Sequence, residues 1–449
     1  MKYEIIKNPN PILRRPTDEV VAFDMELQNF IDGMVATMRE YKGIGLAAPQ
    51  IGESKKIIAC EFVPDEGSEE EAVPLTIICN PEIKQSSAEQ CKMVEGCLSF
   101  PGLEIIVERP KEVTVKGKDR YGNDIEIKAD NMFARVLQHE NDHLNATLMV
   151  DHIKELNLVF FGTGDFGALA LESLLNDPGY KIKAVVTGEK ILHSRGKKSD
   201  LNNIKRIAEE NHLKVFLSKK LRNENDIIQK IKDLKPDLGI VVDFGQIIPK
   251  EVFDIPVHGT LNIHPSLLPE FRGSSPIQSF LLSGKKVTGV SIIKINEGVD
   301  SGPIVSQVEV KVTESANFKI LYDYLSELAA NLLLDSLPYY ILGHLKPEEQ
   351  KEAEATYTKT FKKEDGEVTE KDSANTVLQK IKAFYPWPGV FIEKKGLKIQ
   401  ITAAHFEKNG EFVVDRVKPA GKSEMNYSDF VNGYKIELTF QSQSGKFTL

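Results

Sequence analysis

The period of the hydrophobic positions changes along the chain. In the front third, Phe133, Val136, Leu137, Leu144 and Leu148 recur at helical spacing, which predicts a half-buried helix. From residue 157 the apolar residues gather into short runs instead. NLVFFG (157–162), KIKAVVTG (181–188), HLKVFLS (212–218) and DLGIVVDFG (237–245) predict strands, and the runs at 202–211 and 224–234 predict helices between them. Strands alternating with helices of this length mean βαβ units and a parallel sheet, Rossmann-like in class. Residues 344–367, HLKPEEQKEAEATYTKTFKKEDGE, are charged and poor in apolar positions, and predict a linker with exposed turns. Beyond them, 383–406 and 415–421 read as short strands with turns.

At 449 residues the chain is too long for one small domain. The partition expected is a front α+β domain (1–156), an α/β parallel-sheet domain (157–343), a linker (344–361) and a small β domain (362–449). There is no run of 18 apolar residues, and the start, MKYEIIKNPNP, is polar, so neither a membrane span nor a signal peptide is expected. The four cysteines, Cys60, Cys79, Cys91 and Cys97, all lie in the first hundred residues and do not read as a disulfide framework, which fits a reducing cytoplasm. Residues 1–155 hold 18 Lys+Arg against 28 Asp+Glu, whereas the remainder holds 39 against 38. Any polyanionic partner is therefore expected at the rear.

QHENDHLNA (138–146) carries the first candidate chemistry. His139 and His143 are four apart and share a helix face, with Glu140 between them. Two imidazoles and a carboxylate suit metal-assisted hydrolysis, although HExxH alone also occurs on ordinary amphipathic helices. Cys97, in EGCLSF (95–100), is the candidate third ligand. One cysteine and two histidines leave a tetrahedral position open, the catalytic pattern, and a thiolate suits iron(II) or zinc.

Together with GIGLAAPQIG (43–52) and CNPEI (79–83), these blocks resemble peptide deformylase from about Met1 to Leu156. The resemblance implies a metallohydrolase in which Cys97, His139 and His143 hold a divalent metal, usually iron, with water in the fourth position. It implies Glu140 as general acid/base. The Gln50 side chain and the Leu98 N–H would stabilise the oxyanion, and Gly45 would let the backbone approach the substrate. The family commonly has glycine where Ala146 stands. If that position is left-handed, alanine costs roughly 1 kcal/mol. The C-terminal helix common in free-standing relatives is missing.

In the rear, GTGDFG (162–167) has dinucleotide-fingerprint spacing, with Glu189 as a candidate ribose-binding acid, but a plain strand-to-helix turn is the preferred reading. Asn262 and His264, two apart at a strand end, share a face, and Asp300 follows a later strand through a turn. GTGDF, NIHPSLLP, RGSSPIQ, TGV and GVDSG resemble methionyl-tRNA formyltransferase over about 157–449. By position, Asn262 would hold the formyl oxygen, His264 would polarise the formyl group and assist proton movement, and Asp300 would orient His264 and help deprotonate the amine. Ser266, Leu267, Leu268 and Pro269 would line the site for 10-formyltetrahydrofolate. Arg195, Lys197 and Lys198, in SRGKKSD (194–200), would meet the acceptor stem of initiator methionyl-tRNA. Asp243 and Glu270 depart from the family's usual residues. YPWPGV (385–390) resembles the start of the family's small OB-like β-barrel, which implies a tRNA-binding domain at 362–449. The segment 359–449 holds 15 basic and 12 acidic residues, and Trp387 between prolines is expected to be a packing anchor.

The reading is a fusion of two translation enzymes of opposite sense, one adding a formyl group to methionyl-tRNA and one removing it from N-formylmethionyl nascent peptides. Its rivals are a formyltransferase with a catalytically silent front docking domain and a folate enzyme that formylates a small amine.

Overall fold

A computed structural model of the chain describes residues 2–64, 72–188 and 202–441. They form two compact units: Met1–Glu155 with Leu337–His344, and Leu156–Ser336 with Leu345–Leu449.

The first unit is α+β. Five antiparallel strands lie in the order Gly45–Ala47, Ile57–Phe62, Val73–Ser86, Glu112–Lys118 and Asp124–Asp130. The run IIAC in the second strand is apolar throughout because both its faces are covered. Ile57 and Ala59 pack against Phe30, Ile31, Met34 and Met38 of the helix Met25–Glu40. Ile58 and Cys60 pack against Ala134 and Leu137 of the helix Asn131–Leu144. Successive residues of a strand point to opposite faces, so one four-residue run serves two cores. A separate hairpin, Gln90–Cys97 with Phe100–Pro110, has a register shift at Gly96/Cys97. A bulge there re-aims the following side chain, Cys97. Behind the hairpin, Leu13, Phe100, Leu103 and Val107 cluster with Leu148 and Met149, and Tyr339 and Leu342 of the segment 337–344 pack on the same cluster.

The helix Asn131–Leu144 ends in a Schellman arrangement. The N–H of Ala146 donates to the His143 carbonyl at 3.3 Å and that of Thr147 to the Asp142 carbonyl at 2.9 Å. This geometry needs a left-handed residue after the cap, and Ala146 has φ +59. The backbone the sequence reading anticipated is therefore present, occupied by a residue with a Cβ.

In the second unit a seven-stranded sheet runs Val215–Ser218, Tyr180–Gly188, Leu156–Gly162, Leu238–Val242, Thr260–His264, Val287–Lys294, Ile304–Lys311. The first five strands are parallel, and the last two extend the sheet antiparallel. Strand order reverses between Leu156–Gly162 and Leu238–Val242, and the crevice beyond the carboxyl ends of such strands is where open α/β sheets bind ligands. Where the sequence suggested a small barrel, the described residues form a four-stranded antiparallel sheet, Val390–Lys394, Leu397–Phe406, Phe412–Pro419 and Met425–Asn426, flanked by helices Ala374–Ala383 and Tyr427–Tyr434. Trp387 is 58% exposed, which overturns its reading as a packing anchor. No helix among the described residues is long and apolar enough to cross a membrane.

Ala146→Gly relieves the positive-φ strain and is expected to stabilise the first unit by about 0.5–1 kcal/mol, read as a higher denaturation midpoint.

Candidate active sites

The front site takes its ligands from two elements. His139 and His143 lie one turn apart on the helix Asn131–Leu144, their ring centroids 5.1 Å apart. Cys97 comes from the bulged end of the hairpin. The donor atoms of the three all lie within 4.8 Å of one another, and Cys97 Sγ is 3.3 Å from His143 Nε2. Two ligands of one tetrahedral ion, at about 2.3 Å for sulfur and 2.0 Å for nitrogen, stand about 3.5 Å apart, so the donor set fits a divalent metal. Buried polar atoms without partners sit here too: Glu140 Oε2 and His143 Nδ1. Burial pushes the Glu140 carboxyl up to about 7, and a cation on the neighbouring ligands would oppose that rise.

Gln50 lies beside the thiol. Its Oε1 accepts from the Ala47 N–H at 2.8 Å, which turns Nε2 toward Cys97 Sγ at 3.4 Å and Ser99 Oγ at 3.3 Å. Gly45 serves a purpose the sequence did not disclose. A Cβ there would stand 2.2 Å from Glu140 Oε1, so the missing side chain makes room for the carboxylate itself.

Sequence reasoning missed Glu95. Its two oxygens hold Arg109 Nε at 2.6 Å and Nη2 at 2.9 Å, Arg135 Nη1 at 2.8 Å and His139 Nδ1 at 2.9 Å. The last bond leaves His139 Nε2 free to bind a metal. Burial alone would raise the Glu95 carboxyl, but hydrogen bonds from His139 and Arg109 overcome it and hold the group well below the usual carboxylate range. Glu95 stands two residues before Cys97 on one strand, and that period was the available clue.

At the rear, Asn262, His264 and Asp300 come together as expected, beside a cavity of about 610 Å³. Asp300 Oδ1 accepts from Asn262 Nδ2 at 3.1 Å, and Oδ2 accepts from the Gly273 N–H at 2.8 Å. His264 Nδ1 is 3.6 Å from Asp300 Oδ2, too long for a hydrogen bond, while its Nε2 is 2.9 Å from the Phe271 carbonyl. A carbonyl only accepts, so the proton sits on Nε2 and Nδ1 is the atom turned to Asp300.

The cavity wall is built from Phe244 to Ile248, Pro265 and the turn Asn296–Asp300. Ser266, Leu267, Leu268 and Pro269 do not line it. They fold into a turn tied by Ser266 Oγ to the Glu270 carbonyl, Ser291 Oγ to the Leu268 N–H, and Gln307 Nε2 to the Leu268 carbonyl. The glycine turn is also spoken for. The Thr163 and Gly164 N–H groups donate to the Asp243 carbonyl at 3.0 and 3.1 Å, which removes the amides a dinucleotide phosphate would need. Asp243, at φ +50, sets its carboxyl where a Cβ on Gly164 would be and faces the cavity. Burial within the cavity, and then Asp165, push that carboxyl up. Arg195, Lys197, Lys198 and Glu189 lie outside the described residues.

Comparison with known proteins finds relatives for both parts of the chain. Family models match for polypeptide deformylase at residues 2–158, formyl transferase at 156–337 and the formyl transferase C-terminal domain at 360–412. A methionyl-tRNA formyltransferase of Thermodesulfovibrio yellowstonii is 33% identical over 307 residues, covering 64% of this chain and 99% of that one. The one from Bacillus subtilis is 34% identical over 304 residues, 62% and 95% covered. Among solved structures, a peptide deformylase from Legionella pneumophila is 39% identical over 34% of this chain and 87% of that one, with a TM-score of 0.32. One from Plasmodium falciparum is 42% identical over 33% and 85%, with a TM-score of 0.31. Fold and sites thus define a two-enzyme chain, a hydrolase followed by a transferase. The chain belongs to the methionyl-tRNA formyltransferase family and carries a polypeptide deformylase domain in front of it.

Glu95→Ala strands two guanidinium groups in the front core and is expected to cost about 3–5 kcal/mol. Because the folded-state pKa of Glu95 is depressed, its contribution is present above the unfolded value, about 4.3, and is lost as pH falls through the folded value. Glu95→Gln should therefore flatten the acid limb of the first unit's stability, measured by denaturant melts from pH 3 to 7.

Proposed function

We propose that the front unit removes the formyl group from the N-terminal formylmethionine of new peptides near the ribosome. The rear unit transfers a formyl group from 10-formyltetrahydrofolate to the α-amine of initiator methionyl-tRNA. Both work in the cytoplasm. The observation that carries the reading is the coexistence on one chain of two convergent sites: three donor atoms within 4.8 Å beside an unpartnered Glu140 oxygen, and Asn262, His264 and Asp300 at a ligand-sized cavity.

At the front, Cys97, His139 and His143 would hold a divalent cation, iron(II) or zinc, whose chemistry there would be Lewis-acid activation of water. Glu140, whose Oε2 is buried without a partner beside the ligands, would accept the proton that water gives up and pass it to the departing peptide amine. Gln50 Nε2, fixed by the Ala47 contact, and the Leu98 backbone N–H take up the charge that builds on the formyl oxygen. Glu95 holds His139 in the tautomer that ligation requires.

At the rear, the amine attacks the formyl carbon, a new C–N bond forms, and charge collects on the formyl oxygen. Asn262 Nδ2 has a second hydrogen beyond the one it gives Asp300, and this one meets that oxygen. The amine's surplus proton passes through Asp300 and His264 Nδ1. N10 of the folate takes a proton as its C–N bond breaks, and tetrahydrofolate leaves. Arg195, Lys197 and Lys198 draw in the tRNA acceptor stem by contacts to phosphate.

Two assays on the whole protein test the reading. Glu140→Ala should lower formate release from a formyl-Met tripeptide about 10²–10⁴-fold and leave formyl transfer intact. His264→Ala should do the reverse, with transfer to charged initiator tRNA lost and formate release unchanged. No formate from the metal-loaded parent would mean a silent front domain. Transfer to small amines without tRNA would favour the small-substrate reading.

A further inference from the structure

The segment that reads as a linker is fastened to the rear active site. Ile304 and Glu348 exchange two backbone hydrogen bonds, at 2.7 and 2.8 Å. The Arg272 N–H donates to the Thr356 carbonyl at 2.9 Å, and the Thr358 N–H to the Arg272 carbonyl at 2.7 Å. Between these fastenings lies Gln350. Its Nε2 donates one hydrogen to the Asp300 carbonyl at 2.9 Å and the other to the Gly302 carbonyl at 2.7 Å. Its Oε1 accepts from Arg272 Nε at 3.1 Å. Arg272 is 1% exposed, and its Nη1 holds Glu352 and the Tyr357 hydroxyl, both at 2.9 Å.

Asp300 needs this support. It stands at φ +48, a left-handed conformation costing a non-glycine residue roughly 1–2 kcal/mol, and such conformations persist only where surrounding contacts over-determine them. Its carboxylate must meet Asn262 and the Gly273 N–H at once. The two carbonyls that bracket Ser301 are gathered by one side-chain amide, which fixes the turn from which that carboxylate projects.

Resting on the formyl-transfer reading, we propose that Gln350 is a positioning residue for that reaction: it sets the Asp300 turn and so the angle at which Asp300 presents its carboxylate to Asn262, His264 and the amine. Only a primary amide fits the three contacts. Two donors face two carbonyl oxygens and one acceptor faces a guanidinium. Glutamate at this position turns two attractive contacts into carboxylate facing carbonyl. Because Gln350 does not line the cavity, its effect falls on the rate of the chemical step and not on binding.

The test is steady-state formyl transfer to charged initiator tRNA by full-length parent, Gln350→Ala and Gln350→Glu, with formate release from a formyl-Met tripeptide as the concentration reference. Tetrahydrofolate binding by equilibrium titration reports whether the cavity is intact. The expected result is a kcat for transfer lowered about 10–100-fold in Gln350→Ala and further in Gln350→Glu, since misplacement by about an ångström costs on that order. KM for both substrates and the Kd for tetrahydrofolate should stay within twofold, and the pH profile of kcat should shift because the Asp300–His264 relation has changed. Should Gln350→Ala lose tetrahydrofolate binding, Gln350→Met, which preserves volume, is read by the same criteria. An unchanged kcat, or a raised KM with kcat kept, overturns the inference. A parent that transfers no formyl group overturns the underlying reading instead.

Discussion

Glu95, 5% exposed, divides its two oxygens among two guanidinium groups and an imidazole, and the front site's ligand geometry depends on that division. Cys97 arrives on a hairpin, and His139 and His143 arrive on a helix. Arg135 ties the helix to the Val107 and Cys91 carbonyls of the hairpin and Gln138 ties it to that of Pro110, and Glu95 adds the charged contacts that reach a ligand. Glu95, on the cysteine's strand, reaches the helix through His139 and Arg135, and Arg109 continues to Asp142 at 2.7 Å, one residue before His143. A buried carboxylate is costly alone, and it is tolerated here because each oxygen is saturated. The same bonds settle which imidazole nitrogen is left for a cation.

The rear site solves a comparable problem with its buried guanidinium one step removed: Arg272 holds Gln350 and not the carboxylate itself. Asp300 sits on a turn in a disfavoured conformation, yet its carboxylate must satisfy a side-chain amide on one strand and a backbone N–H after Arg272. The seven-stranded sheet delivers Asn262 and His264 at a carboxyl edge, where strand ends and the following turns converge. Chemistry is then placed by backbone and side-chain amides aimed from loops, which is why the surrounding turns are crowded with carbonyls already committed to partners.

Much of this was legible in the chain. The i, i+4 pair His139 and His143 and the i, i+2 pair Asn262 and His264 are local, and one period places each pair on one face. Cys97 was legible because its surrounding block resembles a known one. What escaped was non-local. Arg109 and Arg135 reach Glu95 from 14 and 40 residues away, and no spacing rule foretells such a meeting. Gln350 lay in a polar stretch whose composition says linker, although its side chain bridges two loops. The antiparallel end of the rear sheet was hidden because TGVSIIKI is apolar on both faces, like a parallel strand. Ser266 to Pro269 show the same limit: the family motif names the segment, while the bonds that tie it into a turn directly after Pro265 of the cavity wall are non-local.

The central claim is that Cys97, His139 and His143 together hold one catalytic cation. X-ray absorption of full-length protein loaded anaerobically with iron(II) or zinc tests it most directly. The account predicts one metal per chain, with a single sulfur at about 2.3 Å, two imidazole nitrogens at about 2.0–2.1 Å and one further light atom, and loss of the sulfur in Cys97→Ser. A shell without sulfur, a shell with several sulfurs, or no stoichiometric metal would contradict it.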